Sequence, residues 1–134
     1  MLAGKAQKEF FVNEALAMID ALLHPVVLAE LAEPPISPVV GDSYLVDASP
    51  SGEWAERDET LAIWQGDQWF FVEPRAGMAI RDSQTGLIRV YAEGWQAAAA
   101  LENPAGGTNI DSEARASIDA ILATLRTHGI LPQT

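Results

Sequence analysis

The chain has no cysteine, so neither a disulfide framework nor a thiolate metal site is possible. Lysine is nearly absent as well, confined to Lys5 and Lys8, and 19 acidic residues stand against 8 basic ones for a net charge of -11. A balance this acidic repels nucleic acid and anionic membrane surfaces, and no basic patch offsets it. No apolar run approaches the ~20 residues of a membrane span. The apolar Phe10-Phe11-Val12 near the N-terminus is interrupted by Asn13, Glu14 and Asp20, which argues against a secretory signal.

The catalytic signatures are missing too. There is no Gly-x-Ser-x-Gly elbow, no phosphate-binding Gly-x-x-x-x-Gly-Lys loop and no Gly-x-Gly-x-x-Gly fingerprint. His24 and His128 are the only histidines, and neither has a partner at zinc-binding spacing. Glu53 with Glu56, or Asp58 with Glu59, are acid pairs of the type glycosidases use, and Asp42, Asp47 and Asp58 are loop carboxylates of the type calcium prefers. Nothing fixes the separation of the acids, and the EF-hand pattern is absent. The expectation is no enzyme, no cofactor and no metal.

What the chain does have is a turn-plus-tryptophan unit repeated through its middle: Gly52-Glu53-Trp54, Gly66-Asp67-Gln68-Trp69 and Gly94-Trp95. Glycine supplies the positive φ of a tight turn, and the following aromatic can cover a short ribbon. Thr60 to Trp64 and Trp69 to Glu73 read as one hairpin, Met78 to Arg81 and Leu87 to Tyr91 as a second, and Ser43 to Val46 as a preceding strand, placing the β region at about residues 42 to 92. Val26 to Leu31 reads as one further short strand, ended by Pro34-Pro35-Ile36-Ser37-Pro38.

Two helices flank this region. The first is expected over residues 13–23, with Asn13 as N-cap, Leu16, Ile19, Leu22 and Leu23 on its packing face and Pro25 as its stop. The second begins at Asp111 or Ser112 and ends at Gly129, with Glu113 in its first turn and Arg126 and His128 in its last. Ala114, Ile118, Ile121 and Leu125 form a stripe at heptad spacing along it, a candidate assembly interface. The fold class is α+β: a small antiparallel β-meander packed with an N-terminal helix, plus a C-terminal amphipathic helix. The domain reading is 1–101 for helix and meander, 102–110 for a Gly/Pro linker acting as a hinge, and 111–134 for the assembly helix.

Among the aromatics, Trp64 and Trp69 are expected in the core of their hairpin. Trp54 and Trp95, nearer to turns, are expected to be exposed, and with Tyr44 and Tyr91 they are candidates for a flat face that stacks on sugar rings.

The motifs Gln7-Lys8-Glu9, Val12-Asn13-Glu14-Ala15-Leu16, Pro34-Pro35-x-Ser37-Pro38-x-x-Gly41-Asp42-x-Tyr44-Leu45-Val46, Gly52-x-Trp54, Ile63-Trp64, Gly66-x-x-Trp69-x-Phe71 and Pro74-Arg75-Ala76-Gly77 resemble, in this order, domain-of-unknown-function family 2793. The resemblance covers about the first 95 residues. It implies a setting in phage, prophage or gene-transfer-agent regions and a structural role in tail fibres or related appendages. The function then expected is a non-enzymatic virion or particle component, made in the cytoplasm and assembled with other virion or tail proteins. The resemblance also points to a homotrimer, since heptad spacing this short does not set copy number. The alternative from another class is a carbohydrate-binding module recognising host-envelope glycans.

Overall fold

The structure, a computed structural model, describes residues 3–133. Helix α1 spans Ala3–Leu23. Ala6, Gln7, Lys8 and Glu9 are all good helix formers, so the helix starts well before Asn13, which lies in its interior and is not the cap. Pro25 ends it, as expected.

Eight short strands follow: β1 (Val26–Val27), β2 (Glu30–Leu31), β3 (Ser43–Val46), β4 (Leu61–Trp64), β5 (Trp69–Val72), β6 (Ala79–Asp82), β7 (Ile88–Tyr91) and β8 (Trp95–Ala97). They form two four-stranded sheets, ordered β1-β6-β7-β8 and β2-β3-β4-β5. The class is α+β, with the strands divided between two sheets. Both expected hairpins are present, with Trp64 opposite Trp69 in one and Ile80 opposite Arg89 in the other. Pro74 lies between β5 and β6, where a missing N–H and a fixed φ interrupt any continuous ladder. Strand β8, beyond the expected limit of the β region, pairs Trp95 with Tyr91.

Residues 25–31 join the sheets. Strand β1 runs parallel to β6, with Arg81 and Ser83 donating their N–H groups to the carbonyls of Pro25 and Val27. Two residues later the same extended segment runs parallel to β3, where Leu28 donates to Ser43 and Leu45 donates to Ala29. One stretch thus serves as an edge strand of both sheets.

Between the sheets lies a core of Val27, Leu45, Leu61 and Ile80, with Val72, Met78 and Trp95 packed against it. A second cluster, Tyr44, Val46, Trp54 and Ala62, covers the opposite face of the β2-β3-β4-β5 sheet together with Ala29, Leu31, Trp69 and Phe71. The alternation along β3 explains the division, because successive side chains of a strand point to opposite faces.

An ionic cluster also spans the two sheets. Arg89 of β7 contacts buried Asp82 of β6 at 2.7 Å and Glu30 of β2 at 2.5 Å. Asp82 also accepts from the backbone N–H groups of Gln84 at 2.9 Å and Thr85 at 3.3 Å, closing the β6–β7 turn. Burial alone would raise the Asp82 carboxyl, but the hydrogen bonds from Arg89, Thr85 and Gln84 outweigh it and hold the group below its ordinary value of 3.8.

Helix α2 covers Ser112–Thr127, and the Asp111 carboxylate caps it by accepting from Ala114 N–H at 2.9 Å. Its C-terminal end is latched to the β6–β7 hairpin. Ile88 donates to the Gly129 carbonyl at 2.8 Å, and Arg81 donates to the carbonyls of His128 and Gly86 at 3.1 Å each. Residues 101–106 run back along the helix: Arg126 donates to Leu101 and Asn103, Asn103 to Asp119, and Arg115 to the Gly106 carbonyl. The expected linker is thus held along α2 over residues 101–106.

Two outcomes follow from these contacts. Arg89→Met should cost about 3 to 5 kcal/mol in urea unfolding at pH 7, because it strands the Asp82 charge, and adding Asp82→Asn should recover part of that loss. Since the Asp82 pKa is depressed on folding, its contribution is complete above about pH 4 and fades as pH falls through the depressed value. Unfolding curves between pH 2 and 7 should show this acid loss in the native chain and less of it in Asp82→Asn. At Gly129, φ is +70°, and a Cβ would lie 2.2 Å from the Gly86 carbonyl oxygen. Gly129→Ala should cost at least about 1 to 3 kcal/mol from backbone strain alone and should speed proteolysis of the C-terminal segment.

Candidate functional site

The four aromatics proposed as a stacking face do not converge. Trp54, held in a single 3₁₀ turn at Gly52–Trp54, is completely buried. Its ring meets Trp69 edge-on at 5.0 Å and Tyr44 at 6.2 Å, and Tyr44 meets Trp69 at 6.0 Å. The expected exposure of Trp54 is thus corrected: the turn after Gly52 aims the indole inward, where it roofs the face of β3 and β4 formed by Val46 and Ala62. Tyr44 is buried with it, and its hydroxyl donates to Asp42 at 3.3 Å.

Tyr91 and Trp95 lie in the other sheet, stacked edge to face at 5.3 Å. Trp95 is half-buried against the inter-sheet core, and its indole N–H donates to the Glu59 carbonyl at 2.8 Å. The Tyr91 hydroxyl reaches the Glu59 carboxylate at 3.4 Å. The Tyr44 phenol is raised by burial and by the Asp42 charge and hydrogen bond. The Tyr91 phenol is raised by desolvation and by Glu59 and Glu73, so both hydroxyls remain protonated donors at neutral pH. Trp64 and Trp69, expected in the core, are half-buried and face each other across the hairpin at 5.0 Å.

Glu59, one of the acids considered for hydrolysis, is thus engaged in this contact between sheets. Among the described residues, no group of three or more His, Asp or Glu is placed to hold a metal ion. His128 caps α2, and its carbonyl accepts from Arg81.

Large apolar side chains face solvent on both helices and on loops, where Ile36, Val39, Val40, Leu101 and Ile110 are exposed. Helix α1 rests on the β body through small and polar residues: Asn13, Glu14, Ala17, Asp20 and Ala21 line a cleft of about 360 Å³ with Val40, Gly41, Ile63, Trp64 and Gln65. On its other flank, Met18 and Leu22 border a groove of about 770 Å³ with Pro25, Phe71, Val72, Glu73, Arg75, Met78 and Ala79. Leu16, Ile19 and Leu23, expected on the packing face, are more than half exposed, as is Val12. The helix is apolar on the side away from the body, an arrangement that solvent alone does not stabilise.

On α2, Ala114, Ile118 and Ile121 of the expected assembly stripe are exposed and Leu125 is half-buried, while Leu122 turns inward and is buried. The stripe borders a shallow groove lined by Ala120, Ile121, Thr124 and Leu125. The outward stripe of α1 went unread in the sequence because large aliphatics on a helix ordinarily face the core. The available signal was the regular spacing of Val12, Leu16, Ile19 and Leu23.

A two-sheet α+β body with a helix lying across it and a second helix latched to one hairpin defines the architecture. The profile of a family described as protein of unknown function (DUF2793) matches residues 12–96, from the middle of α1 through most of β8. The chain belongs to this family. Helix α2 lies outside the matched region. No curated protein matches the chain.

Trp54→Ala should destabilise the fold by about 3 to 5 kcal/mol, the range for removing a fully buried large aromatic. Thermal unfolding followed by near-ultraviolet circular dichroism tests this. An unchanged melting temperature would contradict the core position.

Proposed function

We propose that this chain is a non-enzymatic structural module of a phage or phage-derived particle, a tail-fibre, appendage or adaptor component that assembles with copies of itself and with other particle proteins. The observation that carries the reading is the division of the molecule's side chains. The aromatic and charged groups considered for ligand chemistry, Tyr44, Trp54, Glu59, Tyr91 and Trp95, make contacts within the body, whereas large aliphatics are presented to solvent on two helices and on the loop that carries Ile36, Val39 and Val40. A protein that acts by assembly needs apolar surface of this kind. The particle setting rests on the motifs shared with family 2793 and on their association with phage and gene-transfer-agent regions.

The experiment is fractionation of particles from a producing strain that carries an epitope-tagged copy of the gene. The chain should sediment with particles and appear in them at a fixed ratio to other structural proteins. Its confinement to the soluble fraction would reject the reading. So would turnover of a glycoside or peptidoglycan substrate by the purified chain that a single carboxylate substitution abolishes.

A further inference from the structure

Strand β5 ends the β2-β3-β4-β5 sheet and pairs on one side only, with β4. The register decides which of its backbone groups are left over. Trp64 of β4 donates to the Asp42 carbonyl and accepts from Gly41 N–H, at 2.9 Å each, so both its groups face β3. Groups alternate along a strand, and Ile63 and Leu61 are therefore the residues that bond β5, through their partners Phe70 and Val72. The N–H and C=O groups of Trp69 and Phe71 point away from the sheet, and among the described residues nothing bonds them.

An open edge is ordinarily protected by lysine, proline, a bulge or an inward charge. Strand β5 has none of these. Its residues Trp69-Phe70-Phe71-Val72 are all apolar, and its pairing with β4 is unbroken. The outer strand of the other sheet, β8, is three residues long and carries exposed Gln96. Beside β5 runs the groove of about 770 Å³, where Met18 and Leu22 of α1 meet Phe71, Val72 and Met78. Glu73 and Arg75 are the charged residues along it, and the exposed Arg75 side chain has no ion pair or hydrogen bond among the described residues.

We propose that the β5 edge is a strand-addition site: an extended segment of another protein, apolar at every second residue and carrying a carboxylate for Arg75, pairs with Trp69 and Phe71 and lays its alternate side chains in the groove. That the segment belongs to another particle component rests on the structural-module reading above, whereas the site itself does not.

The chemistry of the edge selects this occupant. Donors and acceptors alternating along an extended backbone are matched by a second extended backbone, while a helix has spent its own on internal bonds and a lipid tail offers none. Successive residues of an added strand point to opposite faces. Every second one then falls on the Val72 side, where Met18, Leu22 and Met78 are apolar, and those between fall on the Phe71 side beside Trp69. An acidic group on the segment supplies the partner that Arg75 lacks. A second copy of this chain is disfavoured, because each copy carries a net charge of -11 and its own β5 has no acid to offer Arg75. Residues 101–106 of the chain itself are already held along α2.

Hydrogen exchange followed by nuclear magnetic resonance on the full chain reads the edge directly. In the free protein the Phe70 and Val72 amides should exchange slowly and those of Trp69 and Phe71 fast. The probe is a set of octapeptides with valine, isoleucine or leucine at every second position, threonine or serine between them, and an aspartate at one end or the other. The best of these should bind one per chain and protect the Trp69 and Phe71 amides. N-methylation of its amides that face β5 should weaken it at least about tenfold through lost hydrogen bonds. Arg75→Gln should weaken it about two- to fivefold, the range of an exposed ion pair, and should not affect the same peptide with asparagine in place of aspartate.

Slow exchange of Trp69 and Phe71 in the free chain overturns the proposal, because the edge is then already covered. So does protection of other amides instead, equal binding by the N-methylated peptide, unchanged affinity in Arg75→Gln, or no binding by any member of the set below about 1 mM. Binding with all the expected marks, by a chain that is missing from particles, would reject only the structural-module reading.

Discussion

The rest of the structure depends on one extended segment, residues 25–31, that is hydrogen-bonded to two sheets in succession. Strands of two to four residues are too short to hold a sheet alone, and three or more strands with a buried face are needed for independent stability. By pairing first with β6 and then with β3, this segment adds a fourth strand to each sheet and sets their separation. Val27 then meets Leu45, Leu61 and Ile80 between them. Arg89 reinforces the junction from the other side, joining Asp82 beside β1 to Glu30 on β2. Breaking such a pair by removing one partner is costly, because it leaves a buried charge without compensation.

That geometry also determines which side chains remain for function. With two sheets back to back, the outer face of one needs a cover, and Trp54, Tyr44 and Trp69 supply it. The indole of Trp95 and the hydroxyl of Tyr91 are engaged by Glu59, in the turn that leads into β4. Helix α1 meets the body through alanines and polar residues, leaving its aliphatic stripe outward. Val12, Leu16, Ile19 and Leu23 are thereby left exposed, whereas the usual amphipathic helix buries its large aliphatics against the body.

The local signals in the chain were legible. The Gly66 turn between Trp64 and Trp69, the hairpin ending at Tyr91 and the Asp111 cap with Gly129 at the end of α2 were all readable, because each depends on residues within a few positions of one another. Boundaries were less so. Helix α1 extends back to Ala3 because ordinary helix formers continue it without a start signal, and Asn13 resembles a cap only in isolation.

By itself, then, the sequence determined the class, the hairpins, the two helices and the exclusion of thiolate and disulfide chemistry, since all of these follow from composition or short-range spacing. Only the tertiary structure decided that Val26 to Leu31 serves two sheets, that Trp54 lies inside and Leu16 and Ile19 outside, and that the Gly106-Gly107 stretch is tied along α2. Burial of a side chain and pairing of an edge strand depend on partners tens of residues away. An indole after a glycine turn or a leucine on a helix reads the same in sequence whether its neighbour is solvent, the core or another chain.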